Sequence, residues 1–210
     1  MILITLNPET VKYLAESILY LIKNGAKAIS VSINYLFNWH NEHLNLLKSQ
    51  LAEIANIYKN YYQKNNPFYL NLFDSRIHSL ISGFVNKGRC DINGNHISIA
   101  PNGDFFPCIA FVEKDSDFQI GSIDMGIIIT KLNEFHAKRA IANDICNNCD
   151  IKDRCFNWCA CSNYLATGKI NEISPVLCEF EKMLIPISDE IAEVLYSENN
   201  QSFMKKFYGI

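Results

Sequence analysis

All eight cysteines of this 210-residue chain lie between residues 90 and 178, and five of them fall within residues 146–161. The chain is longer than the small secreted domains that disulfides commonly stabilise. Its start, MILITLNPETVKY, lacks the basic segment, long apolar stretch and cleavage site of a secretory signal. In a reducing cytoplasm, clustered thiols at short spacing bind metal more often than they form disulfides. The sequence therefore predicts a cytoplasmic metal-binding protein.

The spacing of the later cysteines is compatible with more than one kind of metal centre. It runs Cys146-x2-Cys149-x5-Cys155-x3-Cys159-x-Cys161, with Cys178 further along. A CxxC pair places two sulfurs on one turn, which suits zinc as well as an iron–sulfur cluster. The second group is looser than a second CxxC pair, which favours an iron–sulfur cluster, but a zinc site stays open at this point.

Composition and charge argue against two other classes of protein. The chain is 49% hydrophobic and 12% aromatic, as in a globular protein, and no apolar run reaches the length of a membrane-spanning helix. The net charge is −3, with the excess of acid in the cysteine-bearing residues 90–210. That excess would repel a phosphate backbone, so we expect no nucleic-acid binding. The lack of a long apolar run leads us to expect no membrane partner either.

The first part of the chain has the pattern of an α/β protein. Strand-like residues 1–6 are followed by a helical pattern over 7–25, a strand over 26–35, a second helix over 40–64 and a third strand over 68–73. This β-α-β-α-β order predicts parallel strands joined by right-handed crossovers. Three such strands are too few to close a barrel, so the prediction is half of a partial (β/α) barrel.

From residue 90 the pattern changes to a small α+β domain. HISIA and DFFPC form a predicted β-hairpin, a helix is predicted over 127–142, and a closing helical segment begins at Pro186. The predicted domains are the half barrel, residues 1–84, then a cysteine-rich domain, residues 85–185, and a helical tail, residues 186–210.

The complete cysteine pattern is similar to that of the SPASM domain, a seven-cysteine extension found in many peptide-modifying radical SAM enzymes. The similarity rests on Cys90-x12-Gly103-x4-Cys108 followed by the cysteines from 146 to 159 and Cys178, and on GDFFPC followed by FQIGSI. Residues 1–83 resemble the second half of a radical SAM barrel. The segments LCEFEKMLIPI and FMKKFY are most similar to those of peptide maturases.

The resemblance implies two auxiliary 4Fe-4S clusters. The first would be bound by Cys90, Cys108 and Cys159, and the second by Cys146, Cys149, Cys155 and Cys178. Cys161 is either a fourth ligand of the first cluster or a small buried hydrophobic residue. Without a fourth ligand, the first cluster would have an open iron that could bind the thiolate of a cysteine-containing peptide.

The CxxxCxxC motif that radical SAM enzymes need to cleave S-adenosylmethionine is absent from this sequence. The chain is therefore expected to be the C-terminal piece of a longer enzyme, or a self-standing cluster protein that carries electrons or presents a peptide. Its expected protein partner is the missing N-terminal radical SAM half or a reductant protein. In the complete enzyme, Asn34 is a candidate contact for S-adenosylmethionine at the end of the second strand. Asp74 and Arg76 are expected to form an ion pair after the third strand.

The sequence thus predicts an iron–sulfur protein that serves electron relay and substrate engagement in a radical SAM enzyme modifying a peptide or protein. The alternative is a non-catalytic zinc-binding structural or interaction module.

Overall fold

The computed structural model describes residues 1–83, 96–112, 114, 116–140, 144–156 and 159–210. The chain divides into two compact units. Unit 1 holds the described residues 1–83, 153–156 and 175–210, and unit 2 holds those from 96 to 152 and from 159 to 174. Cys90 lies outside the described residues. The domain limits given above stay a prediction.

Unit 1 begins with a three-stranded parallel sheet made of β1 (Ile2–Leu6), β2 (Ala28–Ile33) and β3 (Tyr69–Leu70). Strand β2 is central, and both neighbours pair with it in parallel. The predicted β-α-β-α-β order is confirmed. The predicted third strand is too long, because the Asn71 side chain replaces the next strand residue: its Oδ1 accepts from Val31 N at 2.7 Å and its Nδ2 donates to Val31 O at 3.0 Å.

The helices of this part lie between and after the strands. A 3-10 helix (Pro8–Tyr13) and α1 (Leu14–Lys23) connect β1 to β2, and α2 (Asn41–Gln63) connects β2 to β3. Helix α3 (Asn71–Ser82) follows β3 without a loop. The helix predicted over 7–25 thus begins as a 3-10 turn. It ends where Gly25 takes a φ of 93°, which glycine adopts at little cost.

Unit 2 is built on a four-stranded antiparallel sheet of very short strands: β4 (Ser98–Ile99), β5 (Asp104–Phe106), β6 (Gly121–Ser122) and β7 (Gly126–Ile127). Pairing of β4 with β5 confirms the predicted hairpin. Gly121 is required where β6 meets β7, because a Cβ there would lie 2.1 Å from the carbonyl oxygen of Gly126.

Three helices follow the sheet in the described part of unit 2: α4 (Ile129–Ala140), α5 (Asp144–Asn147) and α6 (Ala160–Thr167). Short 3-10 helices occur at Ile109–Phe111, Ser116–Phe118 and Lys152–Arg154. A small buried core of mainly aromatic residues holds the unit together. It contains Phe106, Phe111 and Phe135, with Phe118 and Tyr164 packed against it.

The chain returns to unit 1 with α7 (Pro175–Ser197) and α8 (Gln201–Phe207). Residue 186, where a separate tail is predicted to begin, lies inside α7. Helices α2 and α7 bury Leu51, Ile54, Leu184 and Ile191 in one large apolar core beneath the sheet. Among the described residues, no helix is long and apolar enough to cross a membrane.

The parallel sheet has one covered face and one open face. Ile29, Val31 and Ile33 point into the core and are at most 5% exposed. The opposite face carries Leu3, at 73% exposure, and a group of small or polar side chains. Those side chains belong to Thr5, Ala28, Ser30, Ser32 and Tyr69. Parallel sheets are normally covered on both faces, so this polar face is suited to contact with another molecule or segment.

Candidate metal centre and sheet face

Three thiols come together in unit 2. Cys108 directly precedes the 3-10 helix at Ile109–Phe111, and Cys159 is the N-terminal capping residue of α6. Cys161 lies in the first turn of α6, and its thiol hydrogen-bonds to the thiols of both Cys159 and Cys108. The structure therefore gives Cys161, whose role the sequence left open, a central position between two predicted ligands.

The contacts among these thiols favour a thiolate at Cys159. The hydrogen bond from Cys161 lowers the pKa of Cys159; burial opposes this effect, and Ser162 supports it. The hydrogen bond to Cys159 raises the pKa of Cys161, and burial and Cys108 add to the rise. Because the thiolate is the form that binds metal, these contacts favour the metal-binding form of Cys159.

The surroundings of this thiol group are apolar. Cys161 is 4% exposed and belongs to the aromatic core of unit 2, and Cys108 and Cys159 pack against that core. The ring of Phe111 stacks on that of Phe118 at a centroid distance of 4.2 Å. An apolar shell of this kind limits solvent access to a metal centre and tunes its redox potential.

The remaining described cysteines lie in several elements. Cys146 is in α5, and the backbone N–H of Cys149 donates to its carbonyl at 3.3 Å, so the CxxC pair forms one turn. Cys155 is buried in the segment 153–156 of unit 1, and Cys178 is half-buried in the first turn of α7. No disulfide forms among the seven described cysteines.

The fit of these residues to iron–sulfur clusters rests on their chemistry. Within the described part of the chain, no three His, Cys, Asp or Glu side chains are arranged to hold a metal ion, and Cys90 lies outside that part. However, the Cys161 thiol contacts those of Cys108 and Cys159, and all three lie in an apolar environment. Soft sulfur ligands in such a shell fit an iron–sulfur cluster or a zinc ion, so the donor set fits the implied group.

The carboxyl ends of the strands carry asparagine side chains. Asn34 follows β2, and its Nδ2 donates to Oδ1 of Asn7, which follows β1, at 3.0 Å. The Asn34 carbonyl accepts from Trp39 Nε1 at 2.9 Å, and its side-chain oxygen accepts from Leu36 N at 3.3 Å. In the structure Asn34 therefore has a bracing role between two strand ends.

The predicted ion pair between Asp74 and Arg76 is wrong. Arg76 pairs with Glu181 of α7, with its Nε 3.3 Å from Oε2, and Asp74 pairs with Lys206 of α8. The true partners lie more than a hundred residues along the chain, so local sequence could not identify them.

The fold of the chain is that found in structures of radical SAM enzymes. It is similar to a hexahistidine-tagged form of anSMEcpe with bound AdoMet, at 14% identity and a TM-score of 0.65 over 97% of this chain. The name anSME stands for anaerobic sulfatase-maturating enzyme, a radical SAM enzyme. Native anSMEcpe with bound AdoMet and the Kp18Cys peptide is also similar, at 14% identity, a TM-score of 0.63 and 93% coverage.

The chain spans only 57% of the length of each of these two structures. No protein-family model matches the sequence, and no curated protein matches it either. The comparisons thus establish the α/β fold, including its partial barrel.

Proposed function

We propose that this chain is the cluster-binding part of a radical SAM enzyme that modifies a peptide or protein after translation. Its role is electron relay and substrate engagement. Initiation of the radical belongs to the complete enzyme, because this sequence contains no CxxxCxxC motif. When bound, auxiliary clusters supply electron transfer, and the residues of the chain set their position and environment.

The observation that carries the proposal is the thiol group of unit 2. Cys161 contacts both Cys108 and Cys159, so we assign it as the fourth ligand of the first cluster, together with Cys90. This assignment leaves no open iron for a substrate thiolate. The aromatic core around the group would keep the cluster away from bulk water.

The second cluster is proposed to use the other four cysteines. These ligands are Cys146, Cys149, Cys155 and Cys178. The turn that joins Cys146 to Cys149 brings two of them within one loop, and burial keeps the Cys155 thiol from solvent. Each cluster would tie together segments that are distant in sequence, which stabilises a domain with a small core.

The open sheet face supports a polar ligand in the complete enzyme. Its side chains are mainly hydroxyl or small groups, which can hydrogen-bond to a ligand but do not provide a second hydrophobic layer. Similar structures contain bound AdoMet, and we propose AdoMet as the ligand near this face. Asn34 contributes as a brace of the strand ends and is proposed to contact the ligand there.

The proposed substrate is a peptide. Two similar structures were determined with bound peptides, named Kp18Cys and Cp18Cys. The likeness at 14% identity supports the substrate class and not a particular sequence.

The test is anaerobic purification and reconstitution, followed by measurement of iron, sulfide and zinc. Two cubane clusters predict about eight irons and eight sulfides per chain. Stoichiometric zinc without sulfide would refute the proposal and leave the structural zinc module. No bound metal of either kind would refute both.

A pair of variants tests whether Cys161 is a ligand of the first cluster. Cys161→Ala is expected to lose about four irons, because the first cluster loses a ligand. Ser162→Ala is the matched control: Ser162 lies in the same turn and hydrogen-bonds to Cys159 but provides no thiol. Full iron content in Cys161→Ala would contradict the assignment of that residue as a ligand.

A further inference from the structure

The short segment 153–156 of unit 1 is held by a bidentate ion pair. Arg154 directs both terminal nitrogens at Asp189 of α7, with Nη1 and Nη2 each 2.6 Å from a carboxylate oxygen. Nη2 also donates to the backbone carbonyl of Arg76 at 3.3 Å. A bidentate pair of this type fixes direction as well as distance, so the backbone next to Cys155 is fixed to α7 and α3.

Phe156, on the other side of Cys155, is held by a contact between its ring and an arginine. The Arg76 guanidinium lies 4.5 Å from the ring centroid of Phe156. Arg76 is itself fixed by its ion pair with Glu181, and the side chains are 7% and 3% exposed. Nη1 of Arg76 donates to the carbonyl of Asn71 at 3.1 Å. Both neighbours of Cys155 are therefore anchored to groups that are themselves fixed.

The anchors lie on the helix face that carries another cysteine. Glu181 and Asp189 are three and eleven residues after Cys178 on α7, positions that fall within about one-sixth of a turn of it. Cys155 is 9% exposed, and Cys178 is half-buried. The same face thus presents Cys178 and holds the segment that carries Cys155.

We propose that Arg154 and Asp189 are positioning residues that fix the Cys155 thiol as a metal ligand, with the Arg76–Glu181 pair as their support. The metal part of this inference rests on the proposed function. The positional part concerns the protein without metal and is tested separately.

The first experiment measures alkylation of each cysteine in metal-free, reduced protein by iodoacetamide with mass spectrometry. Arg154→Ala is expected to raise the labelling rate of Cys155 about tenfold, because local opening of the segment becomes easier. The rates of Cys178 and Cys149 are expected to stay the same. Lys182→Ala is the matched control, since it removes an exposed ion pair with Glu179 on the same helix.

Two further variants keep the result interpretable. Asp189→Asn removes the same pair from the other side and should raise the labelling of Cys155 alone. The double exchange Arg154→Asp with Asp189→Arg should restore much of the protection. An unchanged Cys155 rate in both single variants would overturn the inference. An equal increase at every cysteine would also overturn it, because that pattern indicates general unfolding.

The second experiment measures iron and the electron paramagnetic resonance spectrum after reconstitution. The Arg154→Ala variant is expected to lose about four of about eight irons and the signal of one cluster, while the other signal is unchanged. If the wild type binds no iron, the proposed function fails, but the labelling result still decides whether Arg154 positions Cys155. If the wild type binds about eight irons and the variant does too, the positioning role at the metal is refuted.

Discussion

Replacement of Lys206 by methionine is expected to destabilise unit 1 by about 2 kcal/mol at neutral pH. Lys206 Nζ forms an ion pair with Asp74, and the Asp74 side chain is 4% exposed. The other Asp74 oxygen accepts a hydrogen bond from Leu70 N at 2.7 Å. The methionine side chain fills similar space but leaves the buried carboxylate without its countercharge.

The magnitude follows from the burial of the two partners. Removal of one member of a buried ion pair costs about 3–5 kcal/mol, because the other charge stays buried and uncompensated. The Lys206 side chain is 32% exposed. Solvent screening of the ammonium group reduces its contribution, which brings the expected loss to about 2 kcal/mol.

The loss is expected to shrink as the pH falls. Burial raises the pKa of Asp74, and Lys206 opposes that rise. A group whose pKa is higher in the folded state contributes stability that is present below the unfolded pKa and is lost as the pH rises through the folded pKa. Without Lys206 the pKa of Asp74 rises further. The variant therefore loses most stability at neutral pH, and protonation of Asp74 relieves that loss in acid.

The assay is urea unfolding followed by circular dichroism across about pH 4 to 8, with the wild type at each pH. Lys205→Met is the matched control, because Lys205 is the neighbouring exposed lysine on α8 and is expected to change stability by less than about 0.5 kcal/mol. Equal effects of the two variants, or a loss at position 206 that does not depend on pH, would refute the reasoning.

Two further perturbations test the core of unit 1 and the role of metal. Tyr62→Phe removes the hydroxyl that accepts from Tyr58 at 3.3 Å and should cost about 1 kcal/mol. Burial raises the pKa of both tyrosines, so the wild type should lose stability as the pH rises above about 10. Urea midpoints at alkaline pH should fall less steeply in the variant, and equal slopes would contradict this. Anaerobic removal of iron by a chelator should make unit 2 sensitive to protease while unit 1 stays resistant; simultaneous digestion of both units would contradict the proposed role of metal.

The order of elements in unit 1 could be predicted because it depends on local periodicity. Apolar residues at helical spacing predicted a helix over 40–64, which agrees with α2 to within one residue at each end. The strand-like run before it predicted β2. The third strand was mispredicted at Asn71, whose side chain bonds to the backbone of Val31, forty residues earlier. A side chain that substitutes for a strand backbone leaves no local signal, because FYLNLF satisfies the strand pattern equally well.

The spacing of the cysteines predicted that they bind metal, but it did not indicate which residues surround them. The sequence left Cys161 undecided, because a cysteine two residues after another is equally compatible with a ligand and with a core position. The structure gives it contacts with two thiols that are 53 and 2 residues away in the chain. Likewise, the charged partners of Cys155's neighbours come from α3 and α7, and only tertiary packing identifies them.

The two units differ in what can stabilise them. Unit 1 buries large side chains from its sheet and helices, such as Leu6, Ile29, Tyr58 and Leu195, and this burial stabilises it. The described part of unit 2 has strands of two or three residues and a small aromatic core. Such a unit gains much from ligands that close long loops. Five of the seven described cysteines lie in unit 2, the unit with the smaller core, and metal binding there would serve its folding as well as its chemistry.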